Sequence, residues 1–342
     1  MGAIEAIGKT FQVVKSSDRL NRFVREYMIV FITIGVFICA IIATTIKFGD
    51  PTVFLSLQNM VNILRASSVM GIIALGMAFV IISGNIDLSV GAQMVFVGVA
   101  AFSVINNLEP VTGPYFAIVV GIITAVALAV GLSMLCGFIV TKGAVPSFII
   151  TLGLNYIYRS LSIFELQSGG INIKAKAFQQ ISNTNLGPIP MPIIYFFIVF
   201  AVYLYISRHT TLGRRIYAAG SNAQATRLSG INVDWVKIQA FALVGFTVAI
   251  AAIVEGSRMN SMNSSSSGLG YDLNTIAMAV VGGIAMEGGK GNFVNVLFGI
   301  IILGVINNIL TIMGMDVYLI NAVKGTIIII AVLLLRSRGK IN

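Results

Sequence analysis

The residues able to do chemistry are few, and their types exclude most of it. The single histidine, His209, stands beside Arg208, and the two cysteines, Cys39 and Cys136, lie inside apolar runs. A zinc site, a disulfide framework and a Ser-His triad each lack the residues or the placement they need. Gly283 to Gly291 resembles a phosphate loop, but the register that needs lysine holds Gly289, and Lys290 is followed by Gly291 rather than Ser or Thr. Any ATP must therefore be bound by another polypeptide, and no cofactor is expected on this chain. What remains are neutral amides within apolar stretches: Asn85, Gln93, Asn155, Asn307, Asn308 and Asn321. Such groups can pass a neutral, hydroxyl-rich solute from one weak hydrogen-bonding site to the next. They can equally hold helices together, and the sequence leaves both roles open.

The elements that position these residues are membrane helices. The 342 residues are 57% hydrophobic and only 10% charged, with a mean hydropathy of +0.95, far outside the range of a soluble domain. Uncharged runs recur at 28–46, 66–86, 88–108, 110–141, 143–158, 177–207, 238–254, 273–286 and 291–315, and 317–335 is interrupted only by Lys324. A crossing needs about 20 apolar residues, so the reading is an all-α polytopic membrane protein of about ten helices. With the amino terminus inside, the inner segments hold Lys9, Lys15, Arg19, Arg22, Arg25, Lys142, Arg208, Arg214, Arg215, Arg227, Lys237, Lys290, Arg336, Arg338 and Lys340. That excess obeys the positive-inside rule and places both termini inside. The net charge of +10 then describes a rim beside anionic lipid rather than a nucleic-acid surface. Residues 1–27 read as an amphipathic segment on the inner surface, 28–335 as the transmembrane domain, 208–237 as its large inner loop and 336–342 as a tail.

Glycine punctuates the crossings. Gly84-Asn85-Ile86-Asp87-Leu88-Ser89-Val90-Gly91 joins the second and third, and Gly282-Gly283-Ile284-Ala285-Met286-Glu287-Gly288-Gly289 joins the eighth and ninth. At an offset of 198 the two octets share Gly, Ile and Gly, a hint of an internal repeat with broken helices at membrane depth. Asp87 is expected to accept hydrogen bonds at the start of the next helix rather than to line a pathway. Lys324 can snorkel to the outer surface, and Arg159 and Glu255 fall near outer helix ends. Among carboxylates, Asp87 alone suits a coupled-ion role, which weighs against proton symport.

In the inner loop, Asn222 is a good helix N-cap, Ala223 to Ser229 make two turns and Gly230 suits the C′ position. Ala225 and Leu228 lie on one small apolar face, while Arg214, Arg215 and Arg227 can pair with acidic groups on a partner. Anchoring on lipid headgroups is the alternative for such a basic loop. On the outer side, 167–190 and 257–272 are long enough to meet a soluble protein, with Lys174, Lys176 and Arg258 as candidate contacts.

Five motifs in order carry a resemblance: Gly84 to Gly91, Val145 to Gly153, Gly213 to Ile231, Gly270 to Ala277 and Gly282 to Gly291. Together they resemble the permease subunits of bacterial ATP-binding-cassette sugar importers, in the ribose, galactose and autoinducer-2 branch, departing from that pattern at Asn85, Asp272 and Asn274. The resemblance implies a cobalamin-importer-like (type II) permease fold acting as a homo- or heterodimer with two cytoplasmic ATPase subunits and an extracytoplasmic sugar-binding protein. Gly213, Arg214, Tyr217, Gly220, Asn222, Ala225, Arg227, Leu228 and Gly230 would then form the ATPase-coupling segment. Gly84, Asp87, Ser89, Gly91, Gly282, Gly283, Gly288 and Gly289 would shape the turns. Nucleoside cargo and ion-coupled secondary sugar transport are the competing readings, and an integral membrane enzyme lacks a catalytic constellation.

Overall fold

The computed structural model describes residues 28–316 together with 319, 320, 322, 323, 325 and 326. The 1–27 segment, Asn321, Lys324, most of the 317–335 run and the 336–342 tail lie outside the described residues.

Seven helices among the described residues are long and apolar enough to cross a membrane. They are α1 (Met28–Phe48), α3 (Leu57–Ile82), α4 (Val90–Thr112), α5 (Pro114–Gly143), α8 (Met191–His209), α11 (Val233–Met259) and α13 (Phe293–Ile312). A four-residue α2 (Thr52–Leu55) precedes α3, and α6 (Ser147–Leu166) is long enough to span but carries Arg159 and Glu165 toward its end. The apolar run at 273–286 yields only the 11-residue α12 (Tyr271–Val281), because Gly282 and Gly283 stop it. The run at 177–207 is not one crossing. It breaks into α7 (Lys176–Asn183), a hairpin of β2 (Asn185–Leu186) and β3 (Ile189–Pro190), and α8. Gly187 at φ +62° turns the hairpin, and Pro188, Pro190 and Pro192 withhold the N–H groups that a continuous helix would need. A second short ladder pairs β1 (Gly170–Asn172) with β4 (Ser261–Asn263) in antiparallel register, so the chain is predominantly rather than purely helical.

The core is built around α3. This helix is buried along 83% of its apolar stretch, against 22% for α1 and for α5, so it is wrapped by protein while those two face outward. Small residues permit that wrapping, since a Cβ on Gly76 would fall 2.8 Å from the Val244 Cα of α11. Polar glue adds to it: Asn59 of α3 and Asn308 of α13 exchange amide hydrogen bonds of 3.2 and 2.9 Å. Side-chain caps start the helices of one face, where Asn232 accepts from Trp235 N–H at 3.0 Å and Asn292 from Val294 N–H at 3.0 Å.

Candidate functional site

The polar loop folds into two short helices, α9 (Thr211–Ser221) and α10 (Ala223–Leu228). Thr210 caps the first, its Oγ1 accepting from Gly213 N–H at 3.1 Å, and Gly213 is buried because a Cβ there would overlap the Ile206 carbonyl. Asn222 ends one helix and begins the next: its N–H donates to Ala218 at 3.0 Å and its Oδ1 accepts from Ala225 N–H at 2.9 Å. Gly230, at φ +79°, closes α10 with bonds from Gly230 N–H to Arg227 and from Ile231 N–H to Thr226. Six residues cannot hold a helix alone. Thr226 is therefore buried, and Arg227 is tied to Asp234 at 2.8 Å, a carboxylate also gripped by Lys142 at 3.0 Å. That geometry spends Arg227 within the chain, whereas Arg214 and Arg215 stay exposed. Ala225 and Leu228 project outward, Leu228 with 84% of its surface exposed. Leu228 is thus a large apolar side chain displayed on a capped, tethered helix outside the bilayer-length segments.

Helix α9 lies against both glycine turns. Ile216 and Ala219 are buried, and the Tyr217 hydroxyl donates to the Gly291 carbonyl at 2.9 Å. Burial pushes the Tyr217 phenol above its ordinary range, with the Arg208 guanidinium opposing, so it keeps its proton and its donor role. Arg208 also reaches Asn292 Oδ1 at 3.2 Å.

The two turns end their helices alike. Gly84 (φ +81°) and Gly283 (φ +84°) each bond back to the carbonyl three residues earlier, and Asn85 and Ile284 each to the carbonyl five earlier. The equivalent glycines are thus 84 and 283, an offset of 199, and the register at 198 read from residue identity is corrected by one. Beyond the glycine the turns diverge. After Gly84 the chain re-enters the protein, and Asp87 is fully buried, its Oδ1 accepting from Ser89 N–H at 2.8 Å and Ser89 Oγ at 2.6 Å while Oδ2 has no hydrogen-bond partner among the described residues. Gly91, opening α4, sits where a Cβ would overlap the Gly268 carbonyl. Residues spaced four apart on α6 lace this segment: Ile86 N–H donates to Ser147 Oγ at 2.9 Å, Thr151 Oγ1 to the Ile86 carbonyl at 3.4 Å and Asn155 Nδ2 to the Leu88 carbonyl at 2.6 Å. Ser147 and Thr151, outside the candidate site residues read from the sequence, share this holding role with Asn155, and their four-residue spacing is the signal for it. After Gly283 the chain stays near the surface, with Met286, Glu287 and Lys290 exposed. Gly282 packs with its would-be Cβ 2.6 Å from Val296 Cα, and Gly288 and Gly289 face α9.

The neutral amides separate into two groups. Gln93 Nε2 bridges α4 to α5 through the Ala129 carbonyl and Ser133 Oγ, both at 2.9 Å, and Asn155 and Asn308 are engaged as described. Asn85, whose Nδ2 donates to Ser83 Oγ at 2.9 Å, also lines a cavity of about 560 Å³ with Ser147, Thr141, Arg227, Asp234 and Lys237, open at the α9–α10 face. Asn307, with Ser67 and Asn274, lines a pocket of about 20 Å³, room for a single water.

On the opposite face, Arg159 Nη1 donates to the Ser264 and Ser267 carbonyls at 2.8 Å each, holding the loop before α12. Arg258 turns inward to Glu255 at 2.8 Å instead of facing a partner, while Lys174 and Lys176 remain exposed.

Seven bilayer-length apolar helices among the described residues, joined in part by glycine turns, define a multi-pass helical membrane protein. The chain belongs to the family described as branched-chain amino acid transport system / permease component, which matches residues 59–332. It is 38% identical to the ribose import permease protein RbsC of Haemophilus influenzae over 301 residues, covering 87% of this chain and 91% of that protein. It is 35% identical to the Bacillus subtilis protein of the same name over 309 residues, 90% and 92% of the two chains. Against the galactose/methyl galactoside import permease protein MglC of Escherichia coli the identity is 34% over 312 residues, 86% of this chain and 90% of that protein. No solved structure matches the chain. It is a transport subunit of the bacterial inner membrane, not an enzyme.

Proposed function

We propose that this chain is the permease subunit of an ATP-binding-cassette importer for a monosaccharide of the ribose or galactose type. Two permease copies, identical or paired with a homologue, form the pathway with two cytoplasmic ATPase subunits, and an extracytoplasmic binding protein delivers the sugar. The α9–α10 face is cytoplasmic, with Lys142, Arg208, Arg214, Arg215, Arg227, Lys237 and Lys290 along its rim. The chain crosses about ten times in a cobalamin-importer-like arrangement, both termini inside. ATP is bound only by the partner subunits.

The observation that carries this reading is Leu228, displayed on a helix whose caps and ion pairs fix its position. Closure of the ATPase dimer pushes α10, and the push re-orients the pathway toward the docked donor. The names of relatives support a sugar, and Asn85, Thr141 and Ser147 on the cavity wall can exchange hydrogen bonds with one. Reconstitution into proteoliposomes tests it: ribose uptake should require ATP inside with the ATPase and the binding protein both present. Uptake by this chain alone, driven by an ion gradient, would overturn the proposal.

A further inference from the structure

Three backbones meet at one point beneath the docking helix. The carbonyl of Ile82, at the end of α3, accepts from Gly289 N–H at 2.8 Å, tying the two glycine turns together. Gly220, in the last turn of α9, packs onto this bond: a Cβ there would overlap the Ile82 carbonyl oxygen and fall 2.7 Å from Gly289 N. From the other side, a Cβ on Gly288 would lie 3.0 Å from Gly84 Cα and 3.1 Å from the Gly220 carbonyl, and one on Gly289 would lie 2.5 Å from Ser221 Cα. The atoms in these contacts are backbone apart from the Ser221 Cβ, so little that is soft lies between the segments to absorb a displacement. Tyr217 of α9 donates to the Gly291 carbonyl at 2.9 Å, and Arg208 at the end of α8 donates to Asn292 Oδ1 at 3.2 Å, so both helices are tied to the chain that follows Gly289.

We propose that Gly220 is a positioning residue for transport. In this account its backbone contact with Ile82 and Gly289 is the rigid joint through which movement of α9–α10 reaches α3 and the α12–α13 turn together, and the joint stays closed throughout the cycle. The proposal rests on the reading of α10 as the ATPase contact. The physical ground is the location of the joint. The α3 helix is the protein-wrapped centre of the fold, and the turn after α12 leads directly into α13, which packs on α3. A push delivered at one point therefore moves two of the core's elements in concert, where separate contacts would let them slip.

The test uses the assembled transporter in proteoliposomes. Gly220→Ala should keep the ATPase bound and hydrolysing while sugar carried per ATP falls about tenfold, within the range for a residue that carries coupling. Unchanged sugar per ATP would overturn the joint. Should that variant fail to accumulate, a second measurement decides. Tyr217→Cys on α9 and Asn292→Cys, in a chain with Cys39 and Cys136 replaced by serine, are bridged by a reducible bifunctional thiol reagent. Uptake that survives bridging supports a joint closed throughout the cycle, and arrest relieved by reduction overturns it. Leu228→Asp is run alongside, because an ATPase that remains bound to that variant removes the underlying reading of α10 whatever Gly220 shows.

Discussion

The two glycine turns begin identically and end in opposite surroundings. Both close a helix on a left-handed glycine, Gly84 or Gly283, with the same pair of backbone bonds. The first is then drawn inward, where α6 supplies hydrogen-bonding groups to Ile86 and Leu88 and Asp87 turns back on Ser89. The second stays near the surface and is held by close backbone contact with α9, joined by the Tyr217 hydroxyl on the Gly291 carbonyl. One local geometry thus occurs in two settings: a side-chain lacing that fixes irregular backbone inside the protein, and a close glycine contact with α9. The lesson is that glycine chemistry stops the helix, while the neighbour decides what the turn is for.

Four substitutions sharpen the contrast. Gly289→Ala should do the most damage, because it forces a side chain into left-handed backbone at φ +70° and against Ser221 backbone 2.5 Å away. Strain and overpacking together cost about 2–5 kcal/mol, measurable as a lowered unfolding midpoint of the detergent-solubilised protein. Gly84→Ala and Gly283→Ala meet nothing within 4 Å, so each should lose only the conformational term, about 1–2 kcal/mol, and by equal amounts. Unequal losses would break the equivalence of the turns. Asn155→Leu should cost least, about 0.6–1.5 kcal/mol, by freeing the Leu88 carbonyl. Its mark should be faster hydrogen exchange in 85–89 with 283–291 unaffected.

Much of this was legible in the sequence. The apolar runs locate the long helices, and the Asn222 to Gly230 spacing gives α10 its cap and its stop. The 177–207 run misled because apolarity alone does not register that Gly187 and three prolines break a helix. Identity matching put the repeat one residue out, since only backbone conformation distinguishes Gly282 from Gly283. The amides were undecidable for a different reason: Asn308 finds its partner in Asn59, 249 residues away, and no local pattern announces such a pair. The joint at Gly220 is likewise invisible in one dimension, because three glycines that touch lie on three separate segments.

The most direct test of the central claim is purification of the tagged chain from its native membrane in mild detergent, with mass spectrometry and an ATPase assay of the eluate. A cassette ATPase should co-elute with the wild-type chain and be lost with Leu228→Asp or with residues 223–229 deleted. An ATPase that stays bound to both variants, or a stable chain that recovers none and takes up sugar on an ion gradient in liposomes, would contradict the account.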